Sequence, residues 1–218
     1  MTCTRRRIKD PFCGLSHGLG AIVSLAGLIA LLVLARGRTW HTVAFSIYGL
    51  SLVALYTASC LYHSLHVDEC RLTVLKRCDH IGIYLLIAGT YTPICLVMLR
   101  DSWGWAMLAA EYAMAGVGIA VILLWKSAPS WIRVVLYLCM GWLALIALGP
   151  LREAIPAAAI GWLLAGGLFY TVGTAVYAVE WPNLWPGRFD AHDLWHVFVL
   201  AGSACHFVLM LQFVAPQT

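Results

Sequence analysis

His192 and His196 stand four residues apart in the last apolar stretch of the chain. If that stretch is helical, the two imidazoles share one face with a rise of about 6 Å between them, close enough to grip one metal ion from a single helix. Ser59 and His63 repeat the four-residue spacing near the end of an earlier apolar run. Three neutral imidazoles drawn from two helices are the protein ligands of a catalytic zinc, with the fourth position left to water. His63, His192 and His196 are therefore the expected ligands of a Zn²⁺ ion. Asp79, at the start of a third run, is a carboxylate suited to take a proton from water, and the Ser59 hydroxyl could steady that water or a developing oxyanion. Two histidines at this spacing occur often by chance. The arrival of His63, Asp79 and Ser59 at a matching depth is what gives the pair weight.

The elements that must carry these residues follow from composition. The 218 residues are 62% hydrophobic and 11% charged, with a mean hydropathy of +0.84. Soluble domains average about 45–50% apolar and about 25% charged, so this chain has too little polar surface to stay in water. That excludes a soluble domain, a disordered chain and a secreted disulfide scaffold. A membrane-spanning helix takes about 20 apolar residues, and seven such runs can be read, at about 15–35, 41–64, 76–98, 103–125, 131–149, 157–179 and 191–214. The expected fold is an all-α, polytopic seven-helix bundle, one transmembrane domain over residues 1–218 with a cytoplasmic N-terminal segment at 1–14. Arg5, Arg6, Arg7 and Lys9 before the first run raise the alternative of a signal peptide. The run is too long for a typical signal core and no convincing small-residue cleavage site follows, so it reads as a helix. The eight cysteines form no CxxC pair and mostly fall inside apolar runs, where a free Cys behaves as a small hydrophobe. A net charge of +4 does not point to nucleic acid.

Trp40, Trp103, Trp105, Trp125, Trp131, Trp181 and Trp185 fall near the expected helix ends, as an interfacial belt requires. With the N-terminus inside, the inner segments hold Arg5, Arg6, Arg7, Lys9, Arg71, Lys76, Arg77, Lys126, Arg133 and Arg188. The outer ones hold Arg36, Arg38, Arg100 and Arg152. Basic residues accumulate on the cytoplasmic side, so the N-terminus is expected in the cytoplasm and the C-terminus outside. This topology brings His17, Ser59, His63, Asp79, His80, His192 and His196 to the cytoplasmic ends of four helices. Ionisable groups within spans are costly and usually mark a site.

Three strings in this order, Ser59-Cys60-Leu61-Tyr62-His63, the Asp79–Pro93 stretch DHIGIYLLIAGTYTP, and His192-x-x-x-His196, resemble the haemolysin III family. That family is the bacterial branch of the progestin and adipoQ receptor group, which includes the adiponectin receptors. The resemblance runs from His17-Gly18-Leu19-Gly20 to the seventh helix. It implies a zinc ion held by His63, His192 and His196, with a water contacted by Asp79 and Ser59. It also implies kinship with seven-helix membrane hydrolases such as the alkaline ceramidases. The family usually carries one or two Glu, then Asn, then Thr-His before the first helix, whereas Lys9-Asp10, Cys13 and Ser16-His17 stand here. The expected function is a zinc-dependent hydrolase of a lipid amide or ester at the inner face of the cell membrane, in a bacterium the inner membrane. The alternative is a non-enzymatic membrane-homeostasis sensor, receptor-like or pore-forming haemolytic protein whose zinc is structural.

The other polar residues draw plainer readings. His80 lies about 100° around the helix from Asp79 and reads as a packing residue or a neighbour of the ligands. His206 is ten residues past His196 and reads as a hydrogen-bonded interior histidine. His41 and His66 fit interface or loop positions, and Cys60 faces away from Ser59. Glu111, within the fourth run, could be protonated, paired or cavity-facing. Gly89 and Pro93 suggest a closely packed kink in the third helix.

Cysteine labelling or reporter fusions test the orientation. They should place the N-terminus and the connections near Arg71, Lys126 and Arg188 in the cytoplasm. An extracellular reading for the Arg71 connection would reverse the assignment of the histidine cluster to the inner face.

Overall fold

The computed structural model describes residues 8–217 except 101 and 126, so Arg5, Arg6, Arg7 and Lys126 of the charge balance lie outside the described residues. Among the described residues every regular element is helical: α1 Pro11–Leu34, α2 Thr39–Ser64, α3 Glu69–Pro93, α4 Ser102–Leu124, α5 Ser130–Gly141, α6 Leu148–Ala154, α7 Ala157–Val179 and α8 Ala191–Leu209. Two of them run on as π-helical turns, α3 through Met98 and α8 through Val214. Six continuous helices are long and apolar enough to cross a membrane, and a bent pair, Ser130–Leu145 with Leu148–Ala154, makes a seventh span when taken as one. The protein is an all-α, polytopic membrane protein. Leu15, Leu19, Ile22, Val23 and Ile29 of α1 are exposed, as apolar side chains are where lipid, and not water, is the solvent.

Three boundaries differ from the sequence expectation. The first helix begins at Pro11 and not near 15, because Pro at the first helical turn has no N–H to leave unsatisfied. The third begins at Glu69 and not near 76, because the Asp68 carboxylate accepts from Arg71 N at 3.0 Å and caps a polar leading segment that hydropathy overlooks. Asp79 and His80 are therefore about 15 Å along α3, preceded by turns carrying Arg71, Lys76 and Arg77.

The fifth run, expected as one span at 131–149, is broken and bends by 52°. A continuous helix would join Ala144 N to Met140 O. Instead the Tyr91 hydroxyl from α3 stands between them: its oxygen accepts from Ala144 N at 2.9 Å. Its hydrogen faces the carbonyls of Met140 and Gly141, each at 3.0 Å. An inserted side chain of this kind is a known cause of helix breaks, and it satisfies backbone groups that lipid could not.

Close approaches set the rest of the bundle. A side chain at Gly82 would meet the Leu55 backbone at 3.0 Å, and one at Gly89 would collide with Ser51, so α2 and α3 pack through small residues. Pro93 cannot donate to Gly89, and the helix loosens into the π turn that follows. The last long helix, α8, packs against both α7 and α1, so the chain's first and last spans adjoin. Arg38, between α1 and α2, donates to Ala215 O and Gln217 O, both at 2.7 Å, and ties the other end of the bundle to the C-terminal turn.

Replacing Tyr91 by Phe keeps the ring and removes the bridge. It should lower the Tm of the purified protein, corresponding to about 1–3 kcal/mol for buried backbone groups left unpaired, while far-ultraviolet circular dichroism at low temperature stays unchanged. An unshifted Tm would mean that the break holds without the hydroxyl.

Candidate metal centre

The start of α8 is built to present its histidines. Asp190 is the N-cap: its carboxylate accepts from His192 N at 2.8 Å and Asp193 N at 3.1 Å. The Asp193 side chain returns the favour to Asp190 N at 3.0 Å, closing a capping box. His192 therefore sits in the first turn, and His196, one turn later, is fully buried. Their Nε2 atoms are 3.3 Å apart. His63, buried one residue before the end of α2, brings its own Nε2 to 3.4 Å from that of His192.

These separations carry information. His63 Nδ1 lies 3.0 Å from Asp10 Oδ2, and because a carboxylate only accepts, that nitrogen bears the hydrogen and Nε2 offers a lone pair. The His192 nitrogen has neighbours on both sides and at most one hydrogen to give. His196 Nδ1 has no partner among the described residues. Lone pairs facing one another in a buried site call for a cation. Zinc–nitrogen bonds of about 2.0–2.1 Å in a tetrahedron put the nitrogens about 3.3–3.4 Å apart, which the two distances match. On geometry, His63 and His192 belong to a group that could hold a metal ion, and His196 adjoins it through its contact with His192.

The structure also brings residues to the site that spacing alone did not assign to it. Cys13 of α1, with His63 and His192, forms a group whose ligand atoms all lie within 4.8 Å of one another and could hold a metal ion. Asp10 hydrogen-bonds the His63 ring, as carboxylates beside ligand histidines do to fix ring orientation. The segment bearing it is pinned to the end of α2, with Asp10 N donating to His63 O at 2.8 Å and Lys9 Nζ to Tyr62 O at 2.8 Å. One turn beyond Cys13, His17 lies with its ring centroid 3.8 Å from that of His196, and Tyr56 closes its other edge at 4.9 Å. Cys13 and His17 are themselves four residues apart. A third donor pair at that spacing was the available signal.

Ser59 and Asp79 are both buried, the hydroxyl of α2 set beside the carboxylate of α3. Ser59 lies one turn along α2 from His63 and so on the same face. His80 offers its carbonyl to the Tyr137 hydroxyl at 3.1 Å and lines a small cleft with Tyr137, Tyr177 and Trp195. His206 is interior, its Nε2 3.3 Å from Leu163 O. His41 is at the opposite end of α2, against Arg38. Glu111 is fully buried in α4, and neither carboxyl oxygen has a hydrogen-bond partner among the described residues.

Two openings flank the cluster. A polar cleft lined by Trp131, Tyr177, Asn183 and Asp190 reaches His192. An apolar cavity bounded by Leu86, Tyr137, Trp142, Trp195 and His206 runs between α3, α5, α7 and α8. The Trp195 ring, with its centroid 5.2 Å from that of His192 and 5.4 Å from that of His196, stands between cavity and histidines.

A family model described as "Haemolysin-III related" matches residues 5–207. The chain is 39% identical over 221 aligned positions to Hemolysin-3 of Bacillus cereus, covering 99% of this chain and 97% of that protein. It is 36% identical to the Hemolysin-3 homolog of Bacillus subtilis, covering 90% of each. The human monocyte to macrophage differentiation factor is 24% identical, over 91% of this chain and 82% of its own length.

Removing the Asp10 carboxylate tests its support of His63. Asp10→Ala should weaken zinc binding about 10–100-fold, the usual cost of losing such a partner, measured by competition with a chromophoric chelator. Unchanged affinity would show that the ring is held by packing alone.

Proposed function

Because the chain belongs to the haemolysin III-related family of multi-pass membrane proteins, we propose that it binds zinc through His63, His192 and His196 and hydrolyses an amide or ester of a membrane lipid. The observation that carries the reading is the pair of Nε2–Nε2 separations, 3.4 and 3.3 Å, which suit a zinc tetrahedron. A lipid substrate is favoured by the two openings at the cluster: a polar cleft for a headgroup and an apolar cavity for an acyl chain, with Trp195 between them.

The residues then divide the work. Zinc, when bound, supplies a Lewis acid that polarises a carbonyl and lowers the pKa of water to about 7. The three imidazoles hold the ion, and Asp10 keeps the His63 ring turned toward it. Asp79 accepts the proton of the attacking water and returns it to the leaving amine or alcohol. Ser59, set beside Asp79, orients that carboxylate. The buried position of both residues keeps bulk water from competing for the proton.

A second reading has its own support: with Cys13 held permanently as a fourth donor, never exchanging for water, zinc would be closed off and structural, in a sensor or pore-forming protein. One experiment separates the two. Purified protein should carry about one zinc per chain, and Ala at Ser59 or Asp79 should leave it bound. Wild type and both variants, reconstituted in native lipid extract, are then assayed by mass spectrometry for released fatty acid. The hydrolase reading expects release by wild type and a drop of roughly 10²–10⁴-fold when Asp79 is lost. No release above a protein-free control across ceramide, phospholipid and acyl-amide substrates overturns it in favour of a structural ion.

A further inference from the structure

Cys13 occupies a place where the thiol has two partners of different kinds. On one side its sulfur donates to Asp193 Oδ1 at 3.1 Å. On the other it is grouped with the ligand nitrogens of His63 and His192, all within 4.8 Å. The residue is buried and held on α1 by the helix that starts at Pro11. We propose that Cys13 is the fourth metal ligand of the resting protein, its sulfur standing where a reacting water would otherwise sit. This inference rests on the zinc reading above.

Geometry is the first argument. A zinc–sulfur bond of about 2.3 Å beside zinc–nitrogen bonds of about 2.0–2.1 Å requires sulfur–nitrogen separations of about 3.6 Å in a tetrahedron. The observed separations, all within 4.8 Å, exceed that by at most about 1 Å, within the sweep of one side-chain torsion. The second argument is independent of Cys13. His196 is wholly buried, its Nδ1 has no partner among the described residues, and its Nε2 points at the Nε2 of His192. The pocket beside the thiol is thus lined by donors for a cation. With His196 drawn in beside His192, the group of Cys13, His63 and His192 would become a closed Cys–His₃ donor set, and the thiolate adds a soft ligand that favours zinc over magnesium or calcium.

Ligand exchange at this position balances simply. Coordination transfers the S–H proton to solvent and directs the sulfur lone pair to the ion. Release takes a proton back and restores the hydrogen bond to Asp193. Because Asp193 also completes the α8 capping box, the acceptor that draws the thiol away is fixed in the same turn as His192.

X-ray absorption at the zinc edge, on the full-length protein in lipid nanodiscs, reads the ligands directly. Wild type loaded with zinc should give three nitrogen scatterers and one sulfur at about 2.3 Å. The sulfur should vanish in Cys13→Ser and Cys13→Ala while zinc is retained, and persist in Cys60→Ser. Zinc bound by wild type through nitrogen and oxygen alone overturns the assignment of Cys13 and leaves the histidine site standing. Sulfur that persists in both Cys13 variants assigns the ligand to another cysteine and also overturns it. Failure of wild type to take up zinc overturns both readings. The wild-type spectrum decides the presence of sulfur even if both Cys13 variants misfold.

Discussion

Buried imidazole nitrogens facing one another at 3.3–3.4 Å, with too few hydrogens to satisfy every contact, are the constraint that organises this end of the molecule. In a low-dielectric interior an unpaired polar atom is costly, so the cluster is stable only if a cation or a shared proton occupies its centre. Everything near it serves to hold the rings despite that cost. The capping box fixes the first turn of α8, Asp10 turns the His63 ring, and the His17 ring lies against His196. Because His63 is on α2 and His192 and His196 are on α8, the cluster also joins elements from opposite ends of the chain.

The location of the cluster at helix ends has a physical cause. Ionisable groups cost least near the membrane interface. About two turns deeper, Tyr56, Tyr170 and Ser203 satisfy one another through hydroxyl bonds of 2.6 and 2.8 Å. Beyond Trp195 the walls are mostly apolar. The break between α5 and α6, held by Tyr91, shapes one wall of the cavity.

Much of this was legible in the chain itself. Long apolar runs declare membrane helices because lipid offers the backbone no alternative partner. The spans 157–179 and 191–214 coincide with helical segments of the same bounds. The four-residue spacing of His192 and His196 and of Ser59 and His63 defined shared faces, since helical geometry alone dictates which side chains stack. The strings around Ser59, Asp79 and His192 pointed to the haemolysin III family.

What spacing could not supply are relations between elements. Hydropathy sees no difference between a straight span and one opened by the Tyr91 hydroxyl, because the break depends on a side chain about fifty residues away. The polar start of α3 was invisible to an apolar window, although Asp68 caps it. Asp10 and Cys13 read as departures from a family pattern and His17 as one more histidine at the cytoplasmic helix ends; only the packing of α1 against α2 and α8 sets them beside His63, Asp193 and His196. Local sequence determines which faces and depths a helix offers. Which faces meet is decided by the close approaches of small residues and the closure of the bundle between its first and last spans, and that is a property of the whole chain.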